Sequence, residues 1–149
     1  MLFFDSAHGQ EIASTLAPLP DNGDAPELAL LMADLQRLTH KLALSADAAN
    51  PDLAAFYLHE SLEQLQTIQA KAPEYERLPI AVLIDRVAIP SYDRIKTALA
   101  TKPTNREQLL GGLDAIVQAC NQCHVLTQHG FIRITRGTEV NPFNQSFQP

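Results

Sequence analysis

A single all-α domain, folded as an antiparallel four-helix bundle with an irregular N-terminal arm and an extended C-terminal tail, is what the 149-residue sequence predicts. Three observations carry that expectation. Leucines recur at three- and four-residue spacing over long segments, which is the apolar stripe of an amphipathic helix. Proline and cap-forming residues punctuate those segments. The segments follow one another through short loops, which most economically join neighbouring helices running in opposite directions. The arm is expected over residues 1–25, the bundle over 26–130 and the tail over 131–149 of one domain, a length at which a chain with 46% hydrophobic residues can bury a substantial core.

In the arm, Pro18, Pro20 and Gly23 break up the apolar fragments, and one short helical turn is expected near Glu11 to Leu16. The first helix should begin at Pro26, since proline suits the first helical turn, where its missing N–H has no partner to lose. It should run to about Ala46 on the stripe Leu28, Leu31, Leu35, Leu38 and Leu42. Asn50-Pro51 signals the second start, a cap followed by proline, and Leu58, Leu62 and Leu65 carry that helix to about Lys71. After a loop marked by Pro73 and Pro79, Ile80 to Ala100 reads as a helix kinked or split at Pro90, whose ring crowds the carbonyl four residues back.

Thr104-Asn105-Arg106-Glu107 has the form of a capping box with Thr104 as the cap. The fourth helix then runs through Leu109, Leu113, Ile116 and Val117 to Gly130, taken as its left-handed end. Gly111-Gly112 weakens its early turns by about 1 kcal/mol per glycine, so another element should pack closely there. Phe131, Ile132, Ile134, Phe143 and Phe147 are expected to pin the tail.

Charge and cysteine content narrow the function. The net charge is −6, with 17 acidic against 11 basic side chains and no basic cluster to follow a phosphate backbone, so nucleic acid is not an expected partner. No segment has the roughly 18 apolar residues of a membrane span. The opening MLFFDSAHGQ lacks the basic start and apolar stretch of a secretory signal, so the chain reads as cytoplasmic or already trimmed. Only two cysteines occur, three positions apart, which makes their role local.

Those cysteines lie in Cys120-Asn121-Gln122-Cys123-His124, the C-x-x-C-H pattern of covalent c-type haem attachment. Each thiol can add to a haem vinyl group, and the imidazole of His124 can bind the iron. At about 100° per residue, Cys120 and His124 fall within the apolar stripe of the fourth helix and Cys123 at its edge. The readings left open beside haem are core packing, a zinc site and a redox dithiol. Zinc on Cys120, Cys123, His124 and His129 is disfavoured, because the outer pair would stand ~13 Å apart on a continuous helix. A redox dithiol normally occupies a helix start, not an end.

Four helices with this motif near the end of the fourth resemble class II c-type cytochromes, the cytochrome c′ and c-556 group. The segment Cys120 to His124, His129-Gly130-Phe131-Ile132 and Asn141-Pro142-Phe143-Asn144-Gln145 resembles a set of little-characterised bacterial cytochrome c-like proteins. The first resemblance implies one covalent haem c, periplasmic electron transfer to a redox partner or gas binding at a five-coordinate iron, and pairing of two copies through the first two helices. The chain departs from class II in having Thr127-Gln128 where an aromatic and a basic residue often stand, and in continuing past Gly130.

For the distal iron position the candidates are Met32, His59 and His40, of which His40 projects away from the leucine stripe and reads rather as a surface residue. No partner is assigned to His8 or His129. Arg133 and Arg136 follow the motif closely enough to reach haem propionates. The expected function is a carrier or binder, not an enzyme, since only His59 or Gln66 offers a polar group for peroxidase-like chemistry. A haem-free helical interaction module is the alternative.

Overall fold

A computed structural model of the chain describes residues 27–148. The expected arm, its turn near Glu11, the start at Pro26 and His8 lie outside the described residues. The described chain is mostly helical, with four helical stretches and one small two-stranded sheet.

Helix α1 spans Leu28–Asp47 and α2 spans Pro51–Lys71. The stripe buries Leu31, Leu35 and Leu42 of α1 against Leu58, Leu65 and Ile68 of α2, as the three- and four-residue spacing requires. The connection is tight because α1 closes on a left-handed residue, Ala49, with φ of 52°. The Asn50 N–H then reaches Ser45 O at 3.0 Å and the Ala49 N–H reaches Ala46 O at 3.1 Å, the paired bonds of a Schellman ending. Asn50 immediately caps α2, its Oδ1 accepting from the Leu53 N–H at 3.1 Å with Pro51 at the first helical position.

The third stretch is split, as Pro90 demands. It comprises α3 (Ile80–Leu83), a π-helical turn over Ile84–Ala88, α4 (Ile89–Ser91) and α5 (Asp93–Ala100). Proline offers no N–H and displaces the carbonyl one turn back; the wider π turn just ahead of it absorbs that mismatch while keeping Ile84 and Ile95 in the core.

Helix α6 spans Arg106–Leu126. Its cap is Asn105, not Thr104: Asn105 Oδ1 accepts from the N–H groups of Glu107 at 2.8 Å and Gln108 at 3.2 Å, while the Thr104 hydroxyl turns back to Thr101 O. Two adjacent residues can both cap, and the asparagine sits one step closer to the helix. The close approach expected at the glycines occurs at Gly112, where a Cβ would stand 2.7 Å from Ile95 N and 2.8 Å from Ile95 Cα. Helices α5 and α6 therefore touch backbone to side-chain-free backbone.

The end of α6 and the tail differ from expectation. The helix stops at Leu126, and the left-handed position falls to Gln128 (φ 63°) rather than Gly130. The N–H of His129 bonds His124 O at 2.6 Å and that of Gln128 bonds Val125 O at 3.1 Å, a second Schellman ending. The following chain does not remain extended: strand β1 (Arg133–Ile134) pairs antiparallel with β2 (Gln145–Ser146). Nor is it pinned by aromatics, since Phe131, Phe143 and Phe147 are 75%, 59% and 67% exposed; of the five expected anchors only Ile134 is buried. Polar bonds hold it. Asn144 Nδ2 donates to Gln36 O at 3.0 Å, a His40 ring nitrogen lies 2.9 Å from Gly137 O, and Arg136 forks onto both Asp114 oxygens at 2.7 and 2.6 Å.

Candidate functional site

The last turns of α6 carry Cys120, Cys123 and His124, and the 3.6-residue period turns all three to one side. Cys120 packs against the core, and each of the three is half-buried. Together they line one cavity of about 320 Å³. Its remaining walls are largely apolar: Met32 and Leu35 of α1, Leu65 of α2, Leu83 and Ile84 of the third stretch, and Ile132 and Ile134 of the returning tail.

Within this cavity the imidazole of His124 has a fixed role. Its Nδ1 lies 2.8 Å from Ile132 O. A carbonyl oxygen only accepts, so Nδ1 carries the proton and Nε2 keeps its lone pair. Burial pulls the His124 pKa below its ordinary value, with the charge of His129 acting the same way and the Ile132 bond opposing. The ring is therefore neutral at pH 7, the form that binds a metal.

The thiols are pushed the other way. Burial, with a smaller effect of Cys123, raises Cys120 to about 12, and burial also raises Cys123. Both are protonated at neutral pH, unlike the low-pKa thiol of a redox dithiol. Among the described residues no three His, Cys, Asp or Glu side chains are disposed to share one metal ion.

One fully buried polar atom of a lining residue makes no hydrogen bond. Thr39, 4% exposed and on the apolar stripe of α1, lines the cavity with its Oγ1 unbonded. It stands beside the buried Tyr92 phenol without meeting it in hydrogen-bond geometry. Burial first, then Cys120, holds the phenol well above the usual tyrosine range, against the opposing influence of the Thr39 and Ser61 hydroxyls.

Of the distal candidates, Met32 lies on the cavity wall, whereas His59 is exposed on α2 and does not line it. His40 is half-buried and tied to Gly137 rather than free on the surface. Arg136 is engaged by Asp114 and Arg133 by Gln148 O, and no lysine or arginine of the described residues lines the cavity. Several lining residues were not assigned to the cavity by the sequence. Thr39 left a signal, a hydroxyl amid leucines; Tyr75 left none. His129 was placed on a continuing helix, but the ending at Leu126 folds it back to the cavity, its Nδ1 bonded to Thr127 O at 2.7 Å.

No family model matches the chain, and no curated protein or solved structure is detectably similar to it. None of the helices of the described residues is long and apolar enough to cross a membrane.

Proposed function

We propose that the chain is a monohaem c-type cytochrome in an antiparallel four-helix bundle, working as an electron carrier or, with an open iron position, as a binder of a small gas. Haem c would be held by thioethers at Cys120 and Cys123 and by His124 Nε2. One observation carries this reading. Both cysteines and the histidine of the motif open on a single apolar cavity, and the histidine's other nitrogen is already committed to a carbonyl. That second bond is what orients metal-bound histidines generally. The cavity volume lies in the range of small-molecule sites.

When bound, haem supplies one-electron iron chemistry. The chain's own residues do the rest. Leu35, Leu65 and Ile84 would exclude water, the neutral His124 ring would offer its lone pair, and Met32 would offer a thioether as a second ligand. Met32 favours electron transfer over gas binding, because a bound thioether closes the position a gas would need. Covalent attachment of this kind implies the periplasm. The net charge of −6 would steer the protein to a basic patch on a redox partner. The exposed Leu30 and Leu44 of α1 and Leu53 and Phe56 of α2 would serve a homodimer.

The test is expression with periplasmic export and a c-type maturation system, followed by acid-acetone extraction and a pyridine haemochrome spectrum. A retained c-type spectrum is expected, with six-coordinate bands that become five-coordinate in Met32→Ala. A folded, helical and colourless protein would overturn the reading in favour of a haem-free interaction module.

A further inference from the structure

The middle of the motif holds a residue that haem attachment does not use. Asn121 stands between the two cysteines on α6, and its side chain meets the returning tail. Its Oδ1 accepts from the Ile134 N–H at 2.7 Å and its Nδ2 donates to Ile134 O at 2.9 Å. A side-chain amide thus pairs both main-chain groups of one residue, as a neighbouring strand would. On the other side, the Ile132 N–H donates to His129 O at 2.8 Å. The Ile132 carbonyl between these two anchors is the one that meets His124 Nδ1 at 2.8 Å.

We propose that Asn121 is a positioning residue for the axial imidazole: by clamping Ile134 it holds the Ile132 carbonyl against His124 Nδ1, and so fixes which ring nitrogen faces the cavity. The proposal rests on the haem reading for its functional meaning. Neutral imidazole free in water prefers its proton on Nε2, the wrong nitrogen for presenting a lone pair to the cavity. The clamp reverses that preference. Donation from Nδ1 also raises the basicity of Nε2, which favours ferric over ferrous iron. Alanine at 121 can do neither half of the clamp, and aspartate keeps the acceptor but loses the donor.

Two measurements on Asn121→Ala, Asn121→Asp and the control Arg136→Gln test this. The control unties the same tail from Asp114 and leaves Asn121 intact. In haem-free protein, nitrogen-15 NMR of the ring reads the His124 tautomer. The wild type and control should show the proton on Nδ1, and both Asn121 variants a majority on Nε2. In haem-loaded protein, losing this kind of support to a ligand typically weakens binding at least tenfold. A tenfold loss confined to the ferric state raises the reduction potential by about 59 mV for one electron. An unchanged tautomer and potential in the Asn121 variants, or an equal change in the control, would overturn the proposal. The aspartate variant decides the matter should the alanine variant not fold. A wild type that takes up no haem refutes the haem reading alone, because the tautomer measurement still decides whether Asn121 orients His124.

Discussion

Two neighbouring glycines should respond to alanine with opposite signs. At Gly112 the new methyl would sit 2.7 Å from Ile95 N and 2.8 Å from Ile95 Cα, both main-chain atoms of α5. That is about 0.8 Å short of the ~3.5 Å at which heavy-atom attraction becomes optimal. Relief requires α5 and α6 to move apart, and forcing extra methyl groups into close packing costs about 1–3 kcal/mol. At Gly111 the nearest atom is the Arg94 guanidinium at 3.4 Å, the far end of a flexible side chain. Alanine there should simply gain helix propensity, about 1 kcal/mol. Because both positions lie in the same stretch of α6, propensity cancels in the comparison. Gly112→Ala should therefore be less stable than Gly111→Ala by about 1–3 kcal/mol. Urea unfolding followed by circular dichroism reads the difference as a shift in midpoint at constant slope. Equal midpoints for the two variants, or a Gly112→Ala more stable than wild type, would refute the close approach of α5 and α6.

Two further outcomes follow from the site and its tail. In haem-free protein, Thr39→Val should leave stability unchanged or raise it by about 1 kcal/mol, since an unbonded buried hydroxyl is lost; a loss above ~1 kcal/mol would show that the hydroxyl is paired. The hydrogen bond from Arg136, aided by its charge and opposed by partial burial, holds the Asp114 carboxyl below its ordinary 3.8. A lowered folded-state pKa gives stability that is present above 3.8 and lost as the pH falls from there through the folded value. Both partners are substantially exposed, so Asp114→Asn should cost no more than about 1 kcal/mol at pH 7. It should also flatten the acid limb of the stability curve, and an acid limb identical to wild type would remove this pair as its cause.

What the sequence made legible follows the physics each signal reports. Hydrophobic spacing placed α1, α2 and the inner face of α6, because burial of Leu35, Leu65 and Leu113 depends on period alone. Asn50-Pro51 and Pro90 acted through their own backbones, so their effects appeared where the sequence put them. The motif was legible for the same reason: Cys120 and His124 are one helical turn apart and share a side. The two helix ends closed by Ala49 and Gln128 were not, since neither side chain advertises a left-handed backbone. Missing the second of these carried His129 away from the cavity it lines. The tail was misread because its aromatics suggested apolar anchoring, whereas the Asn121 and Asn144 amides hold it by pairing with main chain, which leaves no periodic trace.

The returning tail also gives the cavity a direction in time. Residues 132–146 follow α6 in the chain, so both cysteines and His124 are synthesised before the segment that closes over them. Its large aromatics stay in water and its grip is mainly polar, so detaching it exposes less apolar surface than parting the helices would. On the proposed haem reading, the group would be received before this wall closes and be enclosed afterwards. Mass action ties the two events together: whatever binds the closed form more tightly also shifts the tail towards closure. If haem is bound as proposed, protease sensitivity of this one segment would fall as the protein is loaded.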